Sequence, residues 1–253
     1  MVGEENLVFF FTFAFINKSL VNDTNWWSQK VTLIDYPGKI TCTVFLIGCP
    51  FRCPFCYNKE LVLPELIEKQ PRISQKEFFN FLKEKKGLLE GVCITGGEPT
   101  ANSDLPDFCQ KIKEMGFLVK LDTNGSSPEM LKKLIDKKLV DYVAMDIKGP
   151  KERYGEFAGV KVDIKKIQKS IDILKEGRVD YEFRSTILSK IHTKEDIIEM
   201  AKWIRGAKKY YLQNFRPEKT IDPAFEKIKP YPQEYLLEIQ KAISPFFETC
   251  QIR

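Results

Sequence analysis

The run Ile40-Thr41-Cys42-Thr43-Val44-Phe45-Leu46-Ile47 passes straight into Gly48-Cys49-Pro50-Phe51-Arg52-Cys53-Pro54-Phe55-Cys56-Tyr57-Asn58. Its β-branched and aromatic residues predict a strand, and the Gly and Pro that follow predict a loop at the C-terminal end of that strand. The loop carries three cysteines spaced C-x3-C-x2-C. Three thiolates brought together within eight residues can hold a metal centre while leaving one coordination position without a protein ligand. An open position implies chemistry.

Simpler readings of the cysteines fare worse. A structural zinc site closes its shell with four Cys or His ligands, commonly as two separated pairs. No second pair is present, and the chain's one histidine, His192, has no neighbouring ligand partner, so zinc would need a distant fourth cysteine. Cysteines used as small apolar residues would not be interleaved with two prolines and an arginine. Cys53 and Cys56 are too close in sequence to suggest a disulfide framework, and seven cysteines is an odd number. A [4Fe-4S] cluster normally takes four Cys thiolates; with three, its fourth iron can bind an exogenous ligand.

From Lys39 onward, short β-branched or aromatic runs alternate with longer amphipathic ones, the pattern of a parallel sheet wrapped by helices. Strands are predicted over 40–47, 92–95, 119–122, 142–147, 180–187 and 210–214. Helices are predicted over 75–87, 103–115, 128–138, 164–176, 194–206 and 232–244. Ser74 before Gln75-Lys76-Glu77, Pro128 in a first turn and Thr193 before Lys194-Glu195-Asp196 are start signals. Six βα units joined by right-handed crossovers make one curved sheet, two units short of a closed barrel. The expected fold is therefore α/β: a partial, open (β/α)6 TIM-type barrel.

In such barrels the site is built at the C-terminal ends of the strands, and the unusual segments of this chain fall there. The second strand ends in Thr95-Gly96-Gly97-Glu98-Pro99-Thr100, whose paired glycines let backbone approach a ligand. The third ends in Asp122-Thr123-Asn124-Gly125 and the fourth in Met145-Asp146-Ile147-Lys148-Gly149-Pro150. Turn chemistry explains some of these residues, yet both ends bring acidic and amide groups to one rim. The fifth strand carries Arg184, either inward, where it can pair with a carboxylate, or outward to solvent. The sixth supplies Gln213-Asn214-Phe215-Arg216-Pro217, able to meet an adenine or ribose. His192 lies in the turn before the fifth helix, approaching the site or on the surface.

With these residues in view, the chain resembles the radical S-adenosylmethionine (SAM) superfamily, whose signature C-x3-C-x-aromatic-C is filled by Cys49, Cys53, Phe55 and Cys56. Gly96-Gly97-Glu98 resembles its Gly-Gly-Glu motif. The Asp122-Thr123-Asn124-Gly125 and Asp146-Ile147-Lys148 segments are similar to motifs of activating enzymes for glycyl-radical proteins. Val31-Thr32-Leu33-Ile34-Asp35-Tyr36-Pro37-Gly38-Lys39 looks like that family's entrance segment, seen especially in anaerobic ribonucleoside-triphosphate reductase activating proteins. The resemblance runs from about residue 31 to 217.

It implies that Cys49, Cys53 and Cys56 hold one [4Fe-4S] cluster and that S-adenosyl-L-methionine binds the open iron. Gly96, Gly97 and Glu98 would position the methionyl end, with Glu98 at the amino group. Phe55 would pack near adenine, and Asp122, Asn124, Asp146, Lys148 and Arg184 would complete the pocket. No side chain is then catalytic beyond the cluster and SAM. The implied activity is reductive cleavage of SAM to a 5′-deoxyadenosyl radical, which takes a Cα hydrogen from a glycine in a partner enzyme. Anaerobic ribonucleotide reductase is the leading partner, and ferredoxin or flavodoxin the electron donor. One departure is Gln213-Asn214, where some glycyl-radical activases have a histidine. No second cluster motif appears between Asn58 and Gly91. The rivals are a radical SAM enzyme modifying a small molecule or RNA base, and a non-catalytic Fe–S or zinc binding protein.

Composition allows this reading. At 253 residues and 43% hydrophobic, the chain can build one sizeable core, here assigned to residues 29–253. Its net charge of +5, from 40 basic and 35 acidic residues spread along the sequence, gives no strong nucleic-acid signal. The apolar run Leu7–Ile16 is too short to span a bilayer, which takes about 20 residues. Glu4 and Glu5 precede it where a secretory signal wants positive charge. Residues 1–28 are left as a leader or accessory segment, with the cytoplasm as the expected compartment.

Overall fold

Each of the six predicted strands is present, with ends displaced by at most one residue. They are β2 (Thr41–Leu46), β4 (Gly91–Gly96), β5 (Leu118–Thr123), β6 (Tyr142–Asp146), β7 (Asp180–Ile187) and β8 (Lys209–Asn214). The computed structural model describes residues 25–70 and 73–253, with backbone alone for 25–30. The Leu7–Ile16 run lies outside the described residues.

Consecutive strands pair in parallel, Thr43 opposite Cys93, Cys93 opposite Lys120, Asp122 opposite Ala144, Asp146 opposite Arg184 and Thr186 opposite Gln213. Three further strands extend this sheet. β1 (Asn25–Thr32) runs antiparallel to β2, and β3 (Ile73–Ser74) pairs with the start of β1. β9 (Thr249–Ile252) is parallel to β8. The full order is β3-β1-β2-β4-β5-β6-β7-β8-β9, an open sheet.

The helices between strands are α3 (Gln75–Glu84), α4 (Leu105–Glu114), α5 (Pro128–Asp136), α7 (Ile164–Lys175) and α8 (Lys194–Trp203), with α9 (Gln233–Ile243) after β8. Ser74 and Thr193 form capping boxes with Glu77 and Asp196, and Pro128 opens α5, as the start signals predict. Three short helices were not anticipated: α1 (Lys59–Val62), α2 (Pro64–Ile67) and α6 (Tyr154–Ala158). They lie in the loops after β2 and β6. Among the described residues no helix is long and apolar enough to cross a membrane.

Strand alternation separates two environments. Val44, Val92, Ile94, Val119, Leu121, Val143, Phe183 and Leu212 are buried with Phe78, Leu82, Phe108, Ile112, Leu131, Ile171, Ile197 and Leu236 of the helices in one core. The alternate positions are polar or charged: Cys93, Lys120, Asp122 and Arg184 meet one another on the concave side, Thr43 bonds Asp35, and Glu182 takes Tyr142 and Arg253. The apolar core therefore lies outside the barrel, and its interior is left to chemistry.

Candidate active site

The cysteine loop is tied down from four directions. Gly48 N–H donates to Leu61 O (2.8 Å) and Arg52 N–H to Ala158 O at the end of α6 (2.8 Å). The Asn58 side-chain amide donates to Gly96 O (2.9 Å). Asp222 N–H and Ile221 N–H donate to Pro54 O (2.9 Å) and Cys56 O (3.2 Å). Tyr57 stacks on Phe215, with ring centroids 5.6 Å apart, and its hydroxyl accepts from Arg216 N–H (2.8 Å). Segments following β2, β4, β6 and β8 thus fix one loop over the barrel mouth.

Beneath it is a cavity of about 510 Å³. Cys49, Cys53, Cys56, Phe55, Gly96, Gly97, Asp122, Asn124, Asp146, Lys148 and Arg184 all line it. Glu98 alone of the predicted site residues does not: its carboxylate is fully buried behind the loop. It accepts from Thr100 N–H (3.0 Å), from the Thr100 hydroxyl, from the Thr123 hydroxyl (2.7 Å) and from Asn124 N–H (2.6 Å). Glu98 therefore welds the Gly-Gly turn to the Asp-Thr-Asn-Gly loop, and the turn meets the cavity through Gly96 and Gly97. Gly96 has φ +113°, and a Cβ there would strike Leu46 backbone. A Cβ on Gly97 would collide with the Gly48 carbonyl oxygen.

Arg184 points inward. Its Nε donates to Asp146 (2.9 Å) and a terminal nitrogen to Asp122 (3.1 Å). Asp122 also takes Lys120, a buried side chain, and Asp146 takes Lys148 at 3.0 Å. Burial works against charge on both carboxylates. Arg184 and Lys120 outweigh it at Asp122 and hold that carboxyl low; Arg184 and Lys148 bring Asp146 down to about 2. Three cations thus meet two carboxylates on the inner face of the sheet. Lys120 was not read from the sequence as a site residue, although Lys120-Leu121-Asp122 on a strand puts both charges on one face.

His192 is neither a surface residue nor part of the cavity lining. It is 1% exposed, with Leu188 N–H donating to Nδ1 (3.2 Å) and Nε2 lying 3.0 Å from Lys148 O. With Nδ1 accepting, the proton sits on Nε2 and bonds the Lys148 carbonyl. The ring packs on Phe157 (4.5 Å) and near Phe55 (6.3 Å), so it backs the site. Cys42 and Cys109 are buried in the core, while Cys93 faces inward, 3.7 Å from the Lys120 ammonium.

The donor set fits a [4Fe-4S] cluster. Three thiols line one cavity, and a cluster takes each of them at a different iron. The Asn124 amide lies 3.6 Å from Cys49 Sγ and Phe51 N–H 3.4 Å from it, donors that suit a thiolate ligand. Burial pushes the Cys49 and Cys53 thiols up to about 12, so a bound cation is needed to hold them as thiolates. The Lys148 ammonium opposes that rise at Cys53 and Cys56.

Residues 43–204 match the pattern of the radical SAM superfamily. The chain belongs to the radical SAM superfamily. This radical SAM protein is 37% identical, over 88% of its length and 92% of the relative's, to a candidate glycyl-radical enzyme activating enzyme of Methanocaldococcus jannaschii. It is 26% identical over 85 residues, 34% of its length and 54% of the relative's, to the anaerobic ribonucleoside-triphosphate reductase-activating protein of Escherichia coli K12. Among solved structures, Streptococcus suis SuiB bound to S-adenosylmethionine superposes with a TM-score of 0.60 at 19% identity, over 81% of this chain. The chain spans about half of SuiB, 48% of its length. That likeness is one of fold. β8, α9 and β9 lie beyond the segment matched to the superfamily.

Proposed function

We propose that this radical SAM protein activates a glycyl-radical enzyme, with anaerobic ribonucleoside-triphosphate reductase as the leading partner. The observation that carries the reading is 37% identity with the Methanocaldococcus jannaschii relative over 92% of that relative's length, together with the three-cysteine cavity. The shorter similarity to the Escherichia coli activating protein supports the choice of partner.

When bound, a [4Fe-4S] cluster and SAM supply a 5′-deoxyadenosyl radical able to take hydrogen from carbon. The chain's own residues make that possible. Cys49, Cys53 and Cys56 would hold the cluster, and the Asn124 amide donates toward Cys49. Gly96 and Gly97 present backbone to the cavity, where they would meet the methionyl group, and Glu98 fixes the Asn124 loop. Asp122 and Asp146, kept ionised by Lys120, Arg184 and Lys148, offer acceptors to ammonium or hydroxyl groups. Phe55 gives an apolar wall for adenine. The electron would come from ferredoxin or flavodoxin, in a cytoplasm poor in oxygen.

The test is made without oxygen on reconstituted, reduced protein supplied with SAM. Formation of 5′-deoxyadenosine is expected in the wild type and not in Cys53→Ala. Electron paramagnetic resonance of a co-incubated anaerobic ribonucleotide reductase should then show a glycyl radical. SAM cleavage with no such radical would move the reading to another substrate. No cleavage by an intact, reducible cluster would overturn it.

A further inference from the structure

Thr186, Gln213 and Arg253 sit side by side at the ends of β7, β8 and β9. Thr186 is opposite Gln213 in the parallel ladder, and Arg253 N–H donates to Leu212 O (2.8 Å), which seats Arg253 next to Gln213. All three line the cavity that the cysteines line. Gln213 and Arg253 also fall outside residues 43–204, the part shared across the superfamily. Residues serving the common chemistry belong in the shared part; residues serving a particular substrate need not.

Their hydrogen-bonding state is distinctive. Among the described residues neither the Thr186 hydroxyl nor the Gln213 amide has a hydrogen-bond partner in the protein. Arg253 is held as a fork on Glu182, at 2.9 and 3.1 Å, and its guanidinium lies on the Tyr211 ring, 3.4 Å from the centroid. Glu182 also accepts from the Tyr142 hydroxyl (2.8 Å). The Arg253 side chain keeps 37% of its surface open, whereas Glu182 keeps 1%. The guanidinium is thus fixed, its charge is compensated, and its remaining N–H groups are free to meet a ligand.

A compensated cation favours neutral acceptors over a carboxylate, and Gln and Thr each both donate and accept. Together they match the alternating C=O and N–H groups of an extended polypeptide. Three neighbouring strands span roughly 10 Å, about three residues of extended chain. A reacting glycine has no side chain, so its backbone and that of its neighbours is the available handle.

We infer that Thr186, Gln213 and Arg253 form the platform on which the substrate polypeptide's backbone is laid at the reacting glycine. The inference rests on the activase reading. Glu182 and Tyr211 are positioning residues for Arg253.

The probe is a capped nonapeptide copied from the glycine loop of an anaerobic ribonucleotide reductase, with its glycine dideuterated at Cα. Mass spectrometry reads the share of 5′-deoxyadenosine that carries deuterium, so each variant is its own control for cluster content and SAM cleavage. In Gln213→Ala, Thr186→Val and Arg253→Lys that share should fall about tenfold at low peptide, as expected for one lost hydrogen bond, and recover as peptide is raised. Wild-type transfer that persists undiminished in all three variants would overturn this inference alone. So would loss of labelled and unlabelled product together in Gln213→Ala, which would make Gln213 a SAM contact. No deuterium transfer by the wild type would overturn the activase reading and the platform with it.

Discussion

His192 shows how one buried ring writes itself into the pH dependence of the whole chain. Burial lowers its pKa to about 4, against an ordinary 6.5, with the Lys148 carbonyl opposing only in part. The unfolded chain therefore takes up a proton first as pH falls. Stability is complete above about pH 6.5 and drains toward pH 4, by about 2 kcal/mol between pH 6.5 and 5. Because it is the chain's one histidine, replacing it isolates its share. Buried Glu98, whose pKa burial raises, contributes with the opposite sign. The loss of urea midpoint from pH 6.5 to 5 should therefore be smaller in His192→Asn than in wild type, and a slope equal to wild type's would refute the assignment. Glycine positions make a second residue-scale prediction. Gly97→Ala drives a methyl into the Gly48 carbonyl and should cost about 1–3 kcal/mol while lowering retained iron, since the cysteine loop must shift. Gly116→Ala, at φ +91° with open space around it, should cost stability but leave iron content unchanged.

At the scale of elements, the six parallel strands and six helices were legible because short β-branched or aromatic runs alternate with longer amphipathic ones, several of the latter opened by a start signal. The Ser74 and Thr193 boxes are such signals, and replacing either residue by Ala should cost about 1 kcal/mol by urea denaturation. Three strands escaped. β3 has two residues and β9 four, and their pairing comes from partners distant in sequence; β1 has eight but crosses the boundary drawn at residue 28, outside the βα repeat. Missing β9 concealed Arg253. Glu98 was legible as a motif but not in its orientation, which depends on Thr123 and Asn124 one βα unit later. The short α6 escaped too, yet it grips the cysteine loop. It ends at Gly159, φ +67°, whose missing Cβ makes room for the Arg52 carbonyl. Gly159→Ala is therefore expected to leave the far-ultraviolet circular dichroism intact and to lower iron per chain after reconstitution. Full iron content in that variant would show that the loop is held by its other ties alone.

Across the whole molecule, an apolar layer outside the sheet supplies cohesion while the barrel interior is filled with opposed charges. Charges taken out of water are tolerable only when paired, and breaking a pair costs more than never having had it. Glu182 on β7 and Arg253 beyond β9 join strands that approach the open edge of the sheet, with Glu182 almost completely withdrawn from solvent. Among the described residues Arg253→Gln leaves that carboxylate with the Tyr142 hydroxyl as its remaining side-chain partner, and with Arg253 itself 37% exposed the loss should be about 1–3 kcal/mol. Adding Glu182→Gln removes the stranded charge, so the double variant should be more stable than Arg253→Gln alone. Urea denaturation of the two single variants and the double variant closes the thermodynamic cycle. A coupling of about 1 kcal/mol or more would mean that the pair holds the β7–β9 side of the barrel together. Strict additivity would mean instead that the edge is held by the β8–β9 backbone ladder, with the ion pair serving only to aim Arg253 into the cavity.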